Sequence, residues 1–366
     1  MAKETKNKSQ KPSNVLVVRF SAIGDVAMTV PSLYGACNAH LDVRFVFVTR
    51  ASMVSIFLNA PDNLVVIGVD LKNDYKGLKG MRRLFNELRS KYKIDAVVDL
   101  HDVIRTKYLR LLARLNGLKV SRIHKGRKGK HALTRRNNKV MLPLETSRSR
   151  YRATFARLGL APDESFVGLF SNGKASADKY ATITTARGDG EMWVGIAPFA
   201  KHQGKIYPVE LMEEVVAKLS ETKGMRIFLF GGGDYERRVF AQWQQNYPGV
   251  KSLAEGKYGF GTELALLSNL DCMVSMDSAN MHLASLVDIP VVSIWGATHP
   301  YCGFKGWRQA DENIIQLPLT CRPCSVFGDR PCLRGDYLCL NGIKPAVVIE
   351  KIYSILGLAN EDDVVQ

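Results

Sequence analysis

No apolar run in this 366-residue chain approaches the ~20 residues that a membrane helix needs. Residues 1–14 are polar and lysine-rich, and the apolar stretch at 15–20 is too short for the h-region of a secretory signal. The expected location is therefore the cytoplasm, with residues 1–14 a disordered tail. There is no GxGxxG turn: Gly231-Gly232-Gly233-Asp234-Tyr235-Glu236 has the wrong spacing, so a dinucleotide fingerprint is not supported. Acid is scarce. Asp and Glu number 35 against 51 Lys and Arg, a formal net charge of +16. Between residues 104 and 152, 16 Lys/Arg face one acid, Glu145, for a net +15. Such a block draws phosphate, whether on nucleic acid, a membrane surface or a polyanionic substrate. Only Tyr108 and Tyr151 interrupt it, whereas single-strand binders interleave cations with aromatic stacking platforms. Helix-turn-helix and RNP motifs are also missing. A nucleic-acid-binding protein is thus the second reading, and no nucleic-acid partner is expected.

What is present points to two α/β domains. The length exceeds what one hydrophobic core usually spans, and a 46% apolar composition supplies real cores. Apolar strand patterns at 15–20, 43–49, 64–69 and 96–100 alternate with helical periodicity at 26–39, 81–93 and 107–115. After a basic and then Gly/Ser/Thr-rich stretch the alternation restarts, with strands at 193–198, 225–230, 272–276 and 291–295. Helices are expected at 208–222, 235–246, 262–270, 280–286 and 346–356. Strands alternating with helices indicate parallel βαβ units and doubly wound sheets. The expected division is 15–185, 190–345, and a C-terminal helix and tail at 346–366. Ligands of such sheets bind at the carboxyl ends of strands.

Several corners of this pattern carry chemistry. Asp25 follows a strand and a glycine and opens a helix. It reads either as a helix-start carboxylate or as a general base at a strand's end. At Asp277-Ser278-Ala279-Asn280 another strand meets a helix, whose unpaired N–H groups and dipole suit a diphosphate. Ser278 adds a hydroxyl, and His282, five residues after Asp277, could donate to a phosphate oxygen or sit in the core. Gly296-Ala297-Thr298 is a neighbouring strand-to-loop corner. Lys205, just before Pro208, could neutralise a leaving diphosphate. Glu236 could accept from ribose hydroxyls or favour its helix start. Of seven cysteines, Cys321, Cys324, Cys332 and Cys339 cluster. Four thiolates suit a structural zinc or iron, although the second pair is too widely spaced for a standard CxxC…CxxC site; free thiols or disulfides are the other reading.

These pieces occur in a recognisable order. VLVVRFSAIGDVAMTVPSLYGA, KIYP and SMDSANMHLASLVDIPVVSIWGAT resemble, respectively, the opening, the Lys-x-Trp-Pro segment and the Asp-(Thr/Ser)-Gly-x-x-His block of the lipopolysaccharide heptosyltransferases, glycosyltransferase family 9. The resemblance runs from about Val15 to Ile352. It implies a GT-B fold, two Rossmann-like doubly wound domains facing across a cleft, with the acceptor and base in the N-terminal half and the nucleotide sugar in the C-terminal half. It implies inverting transfer of a heptose from ADP-heptose to an acidic lipopolysaccharide core or lipid A acceptor, with no catalytic metal or other cofactor. Asp25 then matches the base and Lys205 the diphosphate-stabilising lysine. Glu236 matches the ribose ligand, and Asp277, Ser278, Ala279, His282, Gly296 and Thr298 fall in the donor-binding block. The chain departs from the pattern at Tyr207, which replaces Trp, and at Ala279, which replaces Gly. Residues 198–202 also lack the hydroxyl pair common in heptosyltransferases, which leaves a different nucleotide sugar as the alternative donor. The basic block gains a partner: Lys125, Arg127, Lys128, Lys130, Arg135 and Arg136 are the expected grip on an anionic glycolipid, in peripheral contact with the inner membrane's cytoplasmic face.

Overall fold

The computed structural model describes residues 11–170 and 173–358; most of the expected N-terminal tail, and the C-terminal tail from residue 359, lie outside them. The chain forms two compact units. One comprises the described residues up to Lys125 together with Ser147–Phe166. The other comprises Gly126–Thr146 and the described residues from Val167 onward. The connection expected near 185–190 therefore falls inside the second unit, and the chain passes between units three times.

The first unit contains β1 (Asn14–Val18), α1 (Ile23–Ala27), α2 (Val30–Ala39), β2 (Arg44–Arg50), β3 (Leu64–Val69), α3 (Gly77–Tyr92), β4 (Ala96–Asp99), α4 (Ile104–Leu115) and β5 (Lys119–Arg122). The helix α5 (Arg127–Thr134) belongs to the second unit, after which α6 (Ser147–Ala156) returns to the first. Its sheet is parallel, in the order β3-β2-β1-β4-β5. Side chains alternate across the sheet with period two. Leu16, Val18, Val46, Val48 and Val97 meet Met81, Leu84, Phe85 and Leu88 of α3 and Leu109 of α4 on one face. Val15, Val17 and Phe45 are buried on the other, where the Phe45 ring meets Phe155 of α6 edge-on at 6.3 Å. Each such side chain contributes about 1.5–3 kcal/mol when fully buried.

One expected helix is two. The periodicity at 26–39 spans the end of α1 and the start of α2, with a break at Met28-Thr29. Pro31 sits in the first turn of α2, where its missing N–H has no partner to lose. Thr29 turns its hydroxyl onto the Val26 carbonyl at 2.7 Å.

The second unit continues with β6 (Met192–Ala197), α7 (Val209–Ser220), β7 (Met225–Leu229), α8 (Asp234–Asn246), β8 (Val250–Ser252), α9 (Gly259–Leu267), β9 (Cys272–Met276), α10 (Ala279–Leu286), β10 (Val291–Ile294), β11 (Ile314–Ile315), α11 (Leu338–Asn341) and α12 (Pro345–Leu356). Its six parallel strands run β11-β10-β9-β6-β7-β8. Val194, Ile196, Ile227, Val274 and Val292 pack against Met212, Val215 and Val216 of α7, Phe240 and Trp243 of α8, and Val348 and Ile352 of α12. Gly195, on the opposite face of β6, leaves room for a neighbour: an added Cβ would stand 2.5 Å from Met273 Sδ and 2.6 Å from Leu270 Cδ1.

Both sheets reverse their winding beside their first strand. In the first unit the reversal lies between β1 and β4, with Val18 level with Asp99. In the second it lies between β6 and β9, with Ala197 level with Ser275. Open α/β sheets bind ligands at such switch points, outside the carboxyl ends of the strands. The residues following β1, β4, β6 and β9 are therefore the ones to inspect.

Candidate active site

At the first unit's switch point, Asp25 stands in the opening turn of α1. Its Oδ2 accepts a long bond from the Ala22 N–H, 3.4 Å, so the helix-start role exists but is weak. Its main partner is Arg19, whose Nη2 lies 2.6 Å from Oδ2; the Arg19 side chain is 8% exposed and that of Asp25 33%. Arg19 is fixed from three directions, because Nη1 also donates to the Leu100 carbonyl at 2.6 Å and Nε to the Ser21 carbonyl at 2.8 Å. The Tyr151 hydroxyl donates to the Asp25 carbonyl at 3.3 Å. A buried guanidinium thus holds a partly open carboxylate in one orientation, which is what a positioned general base requires.

From the neighbouring strand end comes His101. Its Nδ1 accepts the Phe20 N–H at 3.3 Å, so in the neutral ring Nε2 carries the proton, 3.5 Å from Ser21 Oγ. Burial, then the charges of Arg19 and Lys125, depress its pKa to about 3. His101 is therefore a neutral ring whose free N–H faces Ser21. Asp99 ends β4 and accepts the His101 and Asp102 N–H groups, each at 2.8 Å. Arg110 bridges Asp99 at 3.3 Å and Asp102 at 3.1 Å.

The depressed pKa of His101 has a stability consequence. The unfolded ring takes a proton below about pH 6.5, whereas the folded one refuses it until about pH 3. Stability is complete above 6.5 and falls as pH drops through that window, by up to about 1.4 kcal/mol per pH unit. His299, lowered to about 4 mainly by burial, adds the same sign. Glu263, raised to about 7 by burial, opposes both, since its contribution is lost as pH rises from about 4.5 to 7. His101→Gln is expected to flatten the fall between pH 4 and 6 in denaturant titrations. An unchanged slope would mean that His101 titrates normally.

In the second unit, Lys205 follows β6 and Asp277 follows β9, so they flank that sheet's switch point. Lys205 Nζ lies 3.1 Å from Asp277 Oδ2, with side chains 16% and 5% exposed. The Lys205 loop is docked by a close approach: Ala297 N–H donates to the Gly204 carbonyl at 2.7 Å. A Cβ on Gly296 would stand 2.7 Å from that same carbonyl and 2.5 Å from Leu340 Cγ. Gly296 is therefore required by packing. Ser278 caps α10 and its hydroxyl lies 3.3 Å from Ser275 Oγ. Ala279 begins the helix, so the first N–H groups of α10 have no intrahelical acceptor. His282 is buried one turn on. Thr298 is fully buried, and its Oγ1 has no hydrogen-bond partner among the described residues.

Tyr207, at the position of the family's Trp, is a core residue: it is fully buried and its hydroxyl donates to the Ile343 carbonyl at 2.7 Å. Glu236 reaches back over the start of α8, where Oε2 accepts Gly232 N–H at 2.7 Å and Gly233 N–H at 3.3 Å. Its carboxylate closes the helix start.

The cysteine segment does something the sequence did not reveal. Arg322, between Cys321 and Cys324, is 2% exposed. It donates to the Gly296 carbonyl, to Trp295 at 3.0 Å and to Thr298 at 2.9 Å. Cys324 N–H bonds the Ala297 carbonyl at 2.8 Å. Lys139 Nζ in turn donates to the Cys321 carbonyl and, at 2.9 Å, to that of Pro323. The segment therefore buttresses the corner at 296–298. Among the described residues no three His, Cys, Asp or Glu stand in ion-holding geometry, while the thiols of Cys321, Cys324, Cys332 and Cys339 lie close enough to feel one another's charge. Core packing is the reason for Cys339, which lies in the hydrophobic cluster of the second unit with its thiol pushed up to about 11 by burial.

The six cations expected to grip an acceptor do not form one patch within either unit. Lys125 belongs to the first unit and donates to the Asp102 carbonyl at 3.1 Å. Arg127, Lys128, Lys130, Arg135 and Arg136 belong to the second. Lys130 lies over the Phe304 ring at 4.5 Å and the Phe327 ring at 5.9 Å, and Arg135 donates to the Asn138 carbonyl. Arg127, Lys128 and Arg136 are exposed. Sequence reasoning missed Arg19, His101, Arg110 and Arg322; the placing of a cation or imidazole directly after a strand was the available signal for the first two.

The chain is similar to known proteins in sequence and in fold. The chain is 22% identical over 337 residues to lipooligosaccharide heptosyltransferase 2 of Campylobacter jejuni, covering 90% of this chain and 95% of that protein. Its fold matches the family 9 glycosyltransferase of Veillonella parvula with a TM-score of 0.70 at 18% identity, covering 94% and 97% of the two chains. The match to E. coli heptosyltransferase WaaC with ADP has a TM-score of 0.63 at 21% identity, covering 93% and 99%. An iron-containing dodecameric glycosyltransferase, TibC from enterotoxigenic E. coli, matches at 0.57 and 17%, covering 96% and 78%. The fold is GT-B. The model of glycosyltransferase family 9 (heptosyltransferase) matches residues 81–331, which include Lys205, Glu236 and the corner at 277–298, and the chain is a glycosyltransferase belonging to that family.

Proposed function

We propose that the chain transfers a heptose from ADP-heptose, with inversion, onto an acidic lipopolysaccharide core or lipid A acceptor at the cytoplasmic face of the inner membrane. The observation that carries the reading is Asp25, partly open at the first unit's switch point and oriented by buried Arg19. Asp25 removes the proton of the acceptor hydroxyl, and the resulting oxygen attacks the anomeric carbon as the sugar–phosphate bond breaks. Lys205 neutralises the departing diphosphate. The N–H groups at the start of α10, with the Ser278 hydroxyl and His282, hold that diphosphate; Glu236 exchanges its helix-start bonds for ribose hydroxyls. Asp277 orients Lys205 and contacts the sugar. The buried hydroxyl of Thr298 is a polar group left over for the donor. This reading is supported by the solved relative bound to ADP and by the heptosyltransferase relatives.

The test is incubation with ADP-heptose and a truncated lipopolysaccharide core, read as the mass gain of one heptosyl residue, with UDP- and GDP-sugars as competing donors. Product from ADP-heptose alone is expected. Product only from a UDP- or GDP-sugar would replace the donor assignment, and product from none would remove the acceptor.

A further inference from the structure

The open edge of the first unit's sheet carries a cavity of about 510 Å³ that the reaction described above does not use. It runs along β5 and is lined by Arg114 from the last turn of α4, Ser121, Arg122, His124 and Arg157 just after α6, with Val120 and Ile123 as its apolar lining residues. None of its lining residues is acidic. The Arg157 guanidinium is fixed entirely by neutral acceptors: Nε donates to Ser121 Oγ at 3.3 Å, and Nη2 to Thr154 Oγ1 at 3.3 Å and to the Arg122 carbonyl. Its charge is therefore positioned but uncompensated. Arg122 comes only within 4.0 Å of Asp102, and its side chain is 58% exposed. Three guanidinium groups and an imidazole thus converge on one concavity whose lining supplies no counter-charge.

We propose that this cavity is a binding site for a sugar phosphate. Guanidinium forks match the oxygens of a phosphate and bind it in bidentate fashion. A dianion offsets most of the mutual repulsion of three cations, whereas a carboxylate offsets one charge. The volume is in the range of small-molecule sites and exceeds what a bare anion fills. Val120 and Ile123 add apolar surface to the lining, against which the C–H groups of a sugar can pack. The site lies two strands from β1, about 10 Å at the usual strand spacing. It does not rest on the transfer reading, because binding is measured with no donor present.

The test uses the full chain and glucose 6-phosphate, followed by calorimetry, with glucose as the uncharged control. Arg114→Gln with Arg122→Gln is the variant of choice, since neither guanidinium donates a hydrogen bond given above; Arg157 is left in place to protect the fold. The double variant is expected to bind about tenfold more weakly or worse. Lys79→Gln with Arg82→Gln, which removes the same charge from exposed positions of α3, should leave binding as in wild type. Phenylglyoxal labelling mapped by peptide mass should show glucose 6-phosphate protecting Arg114, Arg122 and Arg157. Equal weakening in the α3 control would reduce the effect to net charge and overturn the site, as would unprotected arginines or no binding by wild type. Displacement by phosphatidic acid vesicles, which carry no sugar, would overturn the sugar part of the assignment, and failure to displace would support a soluble sugar phosphate.

Discussion

Asp25→Asn is expected to lower kcat by about 10²–10⁴-fold, the usual contribution of a positioned general base, while ADP binding stays at the wild-type level. The substitution keeps the side-chain volume and an oxygen that can still accept the Ala22 N–H. What it removes is the capacity to take a proton. Arg19 loses its carboxylate but keeps the Leu100 and Ser21 carbonyls, so a fall in Tm accompanies the loss. The two effects separate in the kinetics: a base defect lowers kcat with little change in the KM for donor, whereas general loosening raises both KM values. Transfer within a few-fold of wild type would mean that another group takes the proton. His101 is the nearest imidazole, but its ring is held neutral with Nδ1 already accepting a backbone N–H. The double variant Asp25→Asn with His101→Gln would expose any such substitution of roles.

Lys205→Ala is expected to act twice. In the proposed mechanism it removes the cation that meets the leaving diphosphate, which should cost about 10²–10³ in kcat. It also leaves Asp277, 5% exposed, as a buried carboxylate without its ion-pair partner, and breaking a buried pair from one side destabilises by about 3–5 kcal/mol. Adding Asp277→Leu to Lys205→Ala removes the stranded charge. Much of the lost stability should return in that double variant, whereas activity should not. Thermal denaturation and steady-state kinetics on the same three proteins provide the check. Recovery of activity with stability would show that Lys205 matters only to the fold, and single-variant activity close to wild type would remove it from the mechanism.

How far the sequence discloses this molecule depends on the range of the interactions involved. Strands made of consecutive β-branched and apolar residues, such as VLVV in β1 and FVFV in β2, are legible because burial on both faces demands that composition. By contrast β5, Lys-Val-Ser-Arg, has one apolar residue and sits at a sheet edge, and β8 has three residues in all. Neither makes a periodic signal. Asp25, Lys205 and Asp277 are legible because each follows a strand in a recognisable order. The bracing around them is not: Arg19, which holds Asp25, is fixed by a carbonyl 81 residues away, and Arg322 braces the corner at 296–298 through carbonyls 24–27 residues back. The cysteine spacing invites a metal, yet the placement of Cys339 is decided by packing against the α7–α12 layer, which no spacing rule encodes.

The three passages of the chain between its units constrain how the protein is made and how it is cut. A protease that severs any single crossing leaves two covalent tethers intact, so neither unit is released by one nick. During synthesis, residues belonging to the second unit leave the ribosome before α6 does. Until Phe155 emerges, the Phe45 side of the first sheet lacks that covering ring, so the first unit cannot be completed until residues 126–146 of the second have been made.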